Sequence, residues 1–449
     1  MPRLTDPVAA FIDAACVPLD RSHASGTLEE ANAMLAAHPS VATSDIHTAA
    51  ILGDEASVRR FLALDPANAT VKGGPRGWDA LTHLCFSRYL RLDPARSDGL
   101  VGAARALLDA GASANTGWYE VDHQPEPVWE PVLYGAAGIA HHAELTRLLL
   151  ERGADPNDVE VVYHAPETWD NAVVKLLLET GKLTQDSLTI LLVRKHDWHD
   201  IEGVRLVLAY GIDLNAKHER GWNPLHHALA RDNALETIEL LLDHGADPAF
   251  ARSGVSAVAL AARRGRGDVL EAMERQGLPV ELRGADRLIA ACARGDTASA
   301  RSIAEHEPHL LAQVVAEGGR LLAQFAGTAN AAGVGLLLDL GVPVAAVFQD
   351  GDGYFDVAPR STALHVAAWR AHPAIVKLLL DRGATVDARD GRGRTPLMLA
   401  VRACVDSYWA ERRSPESVRA LLDAGASTAG VAYPSSYAEV DALLAAHRG

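Results

Sequence analysis

Short bursts of apolar residues recur along this chain at helical spacing, and each burst ends in a glycine. One of the clearest is "VKLLLDRGATVDARD" at 376–390. Its counterparts are "RALLDAGASANTG" at 105–117, "TRLLLERGADPNDVE" at 146–160, "VKLLLETGKLTQD" at 174–186 and "VRLVLAYGIDLNAKH" at 204–218. Three more follow: "IELLLDHGADPAFAR" at 238–252, "VGLLLDLGVPVAAV" at 334–347 and "VRALLDAGASTAG" at 418–430. Apolar residues three and four apart line one side of a short helix, and the polar residues between them face water. The glycine supplies the left-handed conformation that stops the helix. Gly211 and Gly245 are 34 residues apart; Gly341 to Gly383 and Gly383 to Gly425 are 42 each, one period plus an insertion.

A second pattern precedes several of these helices. It reads "RGWNPLHHALA" at 220–230, "RSTALHVAAW" at 360–369, "RGRTPLMLAV" at 392–401 and, more weakly, "RGWDALTHLCF" at 76–86. Weaker copies fill the gaps, among them "HTAAILGDEASVRRFLALDPANA" and "LIAACARGDTASARSIAEHEPHL". In T-P-L-H-x-A, then an L-L-L helix, then G-A-D, the chain resembles the ankyrin-repeat family from about Ser25 to Ala429. The resemblance implies an all-α solenoid of stacked helix pairs with β-hairpin fingers, right-handed and curved. About eleven or twelve units are expected at a period of roughly 33 residues. Residues 1–24 are assigned to an N-terminal cap helix region, 25–430 to the array and 431–449 to a C-terminal capping helix. Each unit is too small to bury a core alone, so its stability comes from neighbours.

Composition agrees with thin helical layers. Aromatics are only 5% of the chain, and Ala and Leu are abundant. The net charge is −16, with no Lys/Arg run, which argues against a nucleic-acid partner. The acidity is uneven: 119–170 holds eleven Asp/Glu and two Arg. That segment favours a basic partner. Cys16, Cys85, Cys292 and Cys404 are widely separated, with no C-x-x-C, so free thiols and a reducing compartment are expected. Asp6 and Asp13 break the N-terminal apolar stretch, and no run is long enough to span a membrane. A cytoplasmic monomer is the expectation.

The histidines invite a chemical reading. In the family the Thr and His of T-P-L-H brace the start of the inner helix, which implies that role for His365 and His226. His196 and His199 in "HDWHD", beside Asp197 and Asp200, have the spacing of two metal ligands on one helical face, with no third ligand placed. Asp350, Asp352 and Asp356 in "DGDGYFD" resemble a calcium loop, but the glycine and glutamate that such a loop needs are missing. No phosphate loop, nucleophile elbow or zincin motif is present, so no catalytic residue, cofactor or metal is assigned.

The surface carries the remaining signal. Trp78 and Trp222 follow "RG" where the family has an exposed finger tip, and Arg394 holds that place in "RGRTP". The insertion "TGWYEVDHQPEPVWEP" at 116–131 sets Trp118, Tyr119 and Trp129 among acids. A second lengthened finger, 348–359, carries Tyr354 and Phe355. With Trp169 these are the candidate protein-binding residues, since Trp, Tyr and Arg anchor interfaces. The expected function is a non-enzymatic protein–protein interaction scaffold that binds a basic protein on its concave finger and inner-helix face. The alternative is an enzyme or metal-dependent protein with a site on the lengthened fingers.

Overall fold

The computed structural model describes residues 6–447. The chain divides between Trp222 and Asn223 into two compact units. Each unit is a stack of antiparallel helix pairs.

In the first unit the pairs are Ile46–Ile51 with Glu55–Leu64, Ala80–Cys85 with Ser97–Asp109, and Val132–Tyr134 with Ala143–Glu151. Val159–His164 with Ala172–Glu179 and Gln185–Asp197 with Ile201–Leu208 complete it. Helix Pro7–Ala15, assigned above to a cap, packs on Glu29–Ala37 and on Ile46–Ile51. The second unit pairs Pro224–Ala230 with Leu235–Asp243, Ala257–Arg263 with Gly267–Arg275, and Ala285–Ala293 with Thr297–His306. It continues with Gly318–Gly327 and Ala331–Asp339, Ala363–Trp369 and Pro373–Asp381, and Pro396–Asp406 and Glu416–Asp423. Helix Ala438–Ala446 follows the last pair.

The first helix of most pairs lies inside, although Val159–His164 buries only Val161 and Val162. Every residue of Ile46–Ile51 and of Ala363–Trp369 is buried. The second helix is amphipathic: Ala143–Glu151 buries Leu145, Leu148 and Leu149 and turns Glu144, Arg147 and Glu151 outward. Each fully buried leucine contributes roughly 1.5–3 kcal/mol through loss of apolar surface to water. All eight stop glycines have positive φ, for example +88° at Gly153, where an L side chain is strained.

Three short antiparallel hairpins form fingers: β1 (Gly117–Glu120) with β2 (Val128–Pro131), β3 (Ala251–Arg252) with β4 (Val255–Ser256), and β5 (Val347–Phe348) with β6 (Ser361–Thr362). Two other insertions are absorbed into the frame. In 87–99, Arg88 Nη1 donates to the Ala14 carbonyl at 2.8 Å and Tyr89 Oη to Asn32 Oδ1 at 2.6 Å. In 404–417, Trp409 is buried against Phe355 and Trp369. All four cysteines are free and buried, and burial pushes the Cys16 thiol up to about 11 and Cys292 to about 12.

His365 is a brace. Its Nδ1 accepts from the Thr362 backbone N–H at 3.1 Å, and its Nε2 donates to the carbonyls of Ala388 and Arg394 at 3.0 and 3.1 Å. This ties an inner helix to the following finger with a neutral ring, whose pKa burial lowers. His226 repeats the device on the Phe250 carbonyl at 2.9 Å. His365→Ala would leave two part-buried carbonyls without their partner and is expected to cost about 1–3 kcal/mol at neutral pH. Chemical denaturation at pH 7 measures this, and an unchanged midpoint would refute the brace.

Candidate functional site

The finger at 117–131 is built on strand alternation. Its register pairs Trp118 with Glu130 and Tyr119 with Trp129. Opposed residues share a face, and successive residues point to opposite faces. Trp118 and Glu130 therefore go inward together, at 7% and 2% exposure, while Tyr119 stands 60% exposed and Trp129 half-buried. The outer rings meet edge-to-face at 4.8 Å. Gly117 permits this hairpin, because a Cβ there would lie 2.2 Å from the Glu130 carbonyl oxygen.

Two expectations are corrected here. Trp78 is not an exposed finger-tip residue, and Trp118, expected as a binding residue of the insertion, is not at the surface. They pack against each other at 5.0 Å and both contact Phe86, while His23 caps Trp118 at 5.6 Å. Arg76 lies over the Trp78 ring at 4.9 Å. The long hairpin folds back on its own repeats and brings aromatic surface out of water, so these two rings hold the finger in place.

The inward face of the hairpin opens onto a cluster of ionisable groups. Burial, with the charges of Glu160, Glu120 and Asp158, pushes the Glu130 carboxyl up to about 9. Its Oε2 is buried with no hydrogen-bond partner. His23 stands 3.6 Å from Glu120 and bonds the Tyr134 hydroxyl at 3.1 Å, and burial lowers its pKa. His164 lies between Glu160 at 3.3 Å and Glu167 at 3.0 Å. Burial opposes its charge, but the two carboxylates win and raise it to about 9. Glu167 also takes Arg194, which bonds Asp197 and lies 4.1 Å over the Tyr163 ring. Asp158 caps the helix Val159–His164 through the Glu160 N–H at 3.0 Å, and burial raises it to about 6. At neutral pH the cluster therefore holds a neutral Glu130, while His164 pairs with Glu160 and Glu167 and Arg194 with Glu167 and Asp197.

The sequence-level metal candidates are structural. Asp200 caps the helix Ile201–Leu208 through the Gly203 N–H at 2.9 Å and pairs with the buried Lys195 Nζ at 3.0 Å. Asp197 is engaged by Arg194, and His196 is buried. His142 caps the helix Ala143–Glu151 and bonds Ser97 at 2.7 Å. Among the described residues, no three His, Cys, Asp or Glu side chains are grouped to hold a metal ion. Trp169 is 68% exposed and sits edge-on to Trp198 at 4.8 Å. Trp222 is half-buried, with its ring flat on His218 at 5.2 Å.

In the second unit the finger at 348–359 is closed, not free. Phe355, expected at the surface, is buried. Its carbonyl accepts from Trp369 Nε1 at 2.6 Å, and Arg370 lies 4.1 Å over its ring. Tyr354 is half-buried beneath Arg231 at 3.9 Å. Arg394 is not an exposed tip: it bonds Asp390 at 2.8 Å and Asp356 at 3.2 Å. Asp356 also takes Arg392 and Arg402, and although burial opposes it, these three arginines hold its carboxyl down to about 2. A calcium loop needs those oxygens free. The cavity beneath this finger is 20 Å³, too small for a ligand beyond about one water.

The sequence reading missed Glu130, Glu160, His164 and His23. One signal was available: in an alternating hairpin, an acid facing Trp118 across the strands must go inward with it.

A profile described as ankyrin repeats (3 copies) matches residues 162–252, 190–278 and 288–429, more than half of the chain. The chain belongs to the ankyrin-repeat family. Over 65 residues this ankyrin-repeat chain is 45% identical to human BCL-6 corepressor-like protein 1, a match covering 14% of this chain. The chain spans only 4% of the length of that relative. The solved ankyrin repeat domain of Bcl-3, described as a unique member of the IkappaB protein family, is 23% identical. That match covers 51% of this chain and 97% of that one, at a TM-score of 0.24. The human ASB11 ankyrin repeat domain is 19% identical over 53% and 98%, also at 0.24. Ankyrin repeats serve as general protein–protein interaction modules. Among the described residues, no helix is long and apolar enough to cross a membrane.

Proposed function

We propose that this chain is a non-enzymatic interaction scaffold that binds a basic protein through the finger and inner-helix face of its first unit. The observation that carries this is the outward Tyr119–Trp129 ring pair, set on a hairpin that buried Trp118 holds rigid. A preformed aromatic platform avoids the ordering cost that a mobile loop would bring to binding. The exposed Trp169 adds a further ring, and the acids of 119–170 other than the protonated Glu130 add the charge that steers a basic partner. Trp222 and Tyr354 are each half-buried and are given a lesser part in this contact. We take the chain as a cytoplasmic monomer with no nucleic-acid partner, in keeping with its net charge of −16.

The enzyme or metal-dependent alternative loses its strongest donors, because Asp356, Asp197 and Asp200 are already engaged by arginines and a lysine. The test is quantitative affinity capture with Tyr119→Ala/Trp169→Ala. Both rings are exposed, so melting should move by little, while affinity for the partner should fall at least tenfold. Salt should slow association with the wild type. Undiminished capture of every basic partner by the double variant would sink the reading.

A further inference from the structure

The protein-binding reading leaves Glu130 unexplained. It sits at an inward strand position, 2% exposed, and its Oε2 has no hydrogen-bond partner. Buried carboxyl oxygens are normally bonded, and an exception calls for a reason. Every element around it contributes a titratable group. Glu120 comes from β1, Tyr134 from the helix after β2, Asp158 from a helix cap, and Glu160 and His164 from the helix Val159–His164. His23, from the segment before the helix Glu29–Ala37, closes the Glu120 side. The side chains of Glu120 and Glu160 remain about a fifth exposed, so the cluster meets solvent beside Glu130.

The charges do not balance there. His164 is committed to Glu160 and Glu167, and Arg194 to Glu167 and Asp197. Burial keeps His23 neutral at pH 7. Among the described residues this leaves Glu120 without a charged partner, beside a Glu130 that keeps its proton. A metal ion does not suit, because its bonds of about 2.0–2.6 Å demand grouped donors, and no such group exists among the described residues. A guanidinium or ammonium suits better, since it reaches separated carboxylates through longer, charge-assisted hydrogen bonds.

We propose that Glu130, Glu120 and Glu160 form an acceptor for one cationic side chain, arginine or lysine, of the protein partner, with Glu130 giving up its proton as the cation enters. The inference rests on the scaffold reading and names the chemistry of its contact. The Glu130 O–H bond breaks, the proton passes to solvent, and the carboxylate pairs with the incoming cation. Trp118, buried on the same inward face directly across the strands, keeps the acid aimed inward in the unbound state.

The probe is an end-blocked Gly-Arg-Gly peptide, with Gly-Lys-Gly and the neutral Gly-citrulline-Gly beside it, added to the full chain. Affinity is read by NMR titration, and proton release by pH electrode in weakly buffered solution. The cationic peptides should release about one proton per molecule bound at pH 7. Their affinity should rise roughly tenfold per pH unit between pH 6 and 8, since a group titrating near 9 must first ionise. Citrulline should not bind. Glu130→Gln copies the neutral acid, so it should fold, abolish the proton release, remove the pH slope and weaken binding at least tenfold. Glu120→Gln, at a partly exposed site, should also weaken it and is read independently. Unchanged binding or persistent proton release in Glu130→Gln overturns the proposal, as does a wild type that ignores both peptides at pH 8. In those outcomes the scaffold reading still stands on the Tyr119→Ala/Trp169→Ala capture, which leaves Glu130 intact.

Discussion

Replacing Asp232 with asparagine is expected to cost about 3–5 kcal/mol in the second unit, because it strands two buried guanidiniums. Asp232 is nearly inaccessible. Its carboxylate takes Arg264 Nη2 at 2.6 Å and Arg370 Nη1 at 3.1 Å, and those side chains are themselves buried. Burial already presses the Arg370 guanidinium down to about 10, with Asp232 the main charge supporting it. Arg370 cannot escape to water, because it lies over Phe355 at 4.1 Å and Trp409 at 4.4 Å. Asparagine keeps the backbone at φ +52° tolerable, whereas alanine would add strain. The loss should also loosen the 348–359 finger, whose Phe355 packs under Arg370. A melting point lower by roughly 10 °C is expected for a unit of this size, with a matching change in the fluorescence of Trp369 and Trp409. If the variant melts within about 2 °C of wild type, the buried pair is not what holds this finger closed.

Glu130→Gln should stabilise the first unit at pH 8 and leave it unchanged near pH 4.5. In the unfolded chain this carboxyl titrates near its ordinary value of 4.5, and in the folded chain near 9. Below pH 4.5 both states carry the proton. Between those values the unfolded state gives it up while the folded state keeps it, so folding stability falls as pH rises through the window. At about 1.4 kcal/mol per pH unit the penalty reaches several kcal/mol at pH 8. Glutamine has no proton to lose and escapes it. Asp158, raised to about 6, adds a smaller decline of the same sign over pH 3.8–6. His164, raised to about 9, contributes stability that is full below 6.5 and lost as pH rises through 9. Both are present in wild type and variant, so they cancel in the difference. Melting curves that stay parallel from pH 4.5 to 8 would show that Glu130 ionises freely in the fold.

The repeat frame was legible in the chain itself. Leucine spacing located the outer helices, and glycine spacing located where they stop. The family resemblance at the T-P-L-H position implied that His365 and His226 are braces. These are local matters: helical period, left-handed glycine and a histidine reaching its own cap or the next finger are set within one repeat and its neighbour. The aromatic residues were not legible in the same way. Trp78 has the sequence context of an exposed tip and Trp118 that of a surface insertion, yet each buries its ring because the 116–131 hairpin folds back onto its own repeats. Phe355 and Arg394 went the same way when Asp356 found three arginines, one of them 46 residues on at Arg402. The acid cluster depends on still longer reach, since His23, Glu120, Glu130 and Glu160 meet only after repeats stack. By itself, then, the sequence determined the repeating unit, whose pattern answers to backbone geometry over a few residues. Only the tertiary structure decided which fingers close, which rings remain outside and which carboxyl keeps its proton, because burial and charge pairing depend on neighbours distant in the chain.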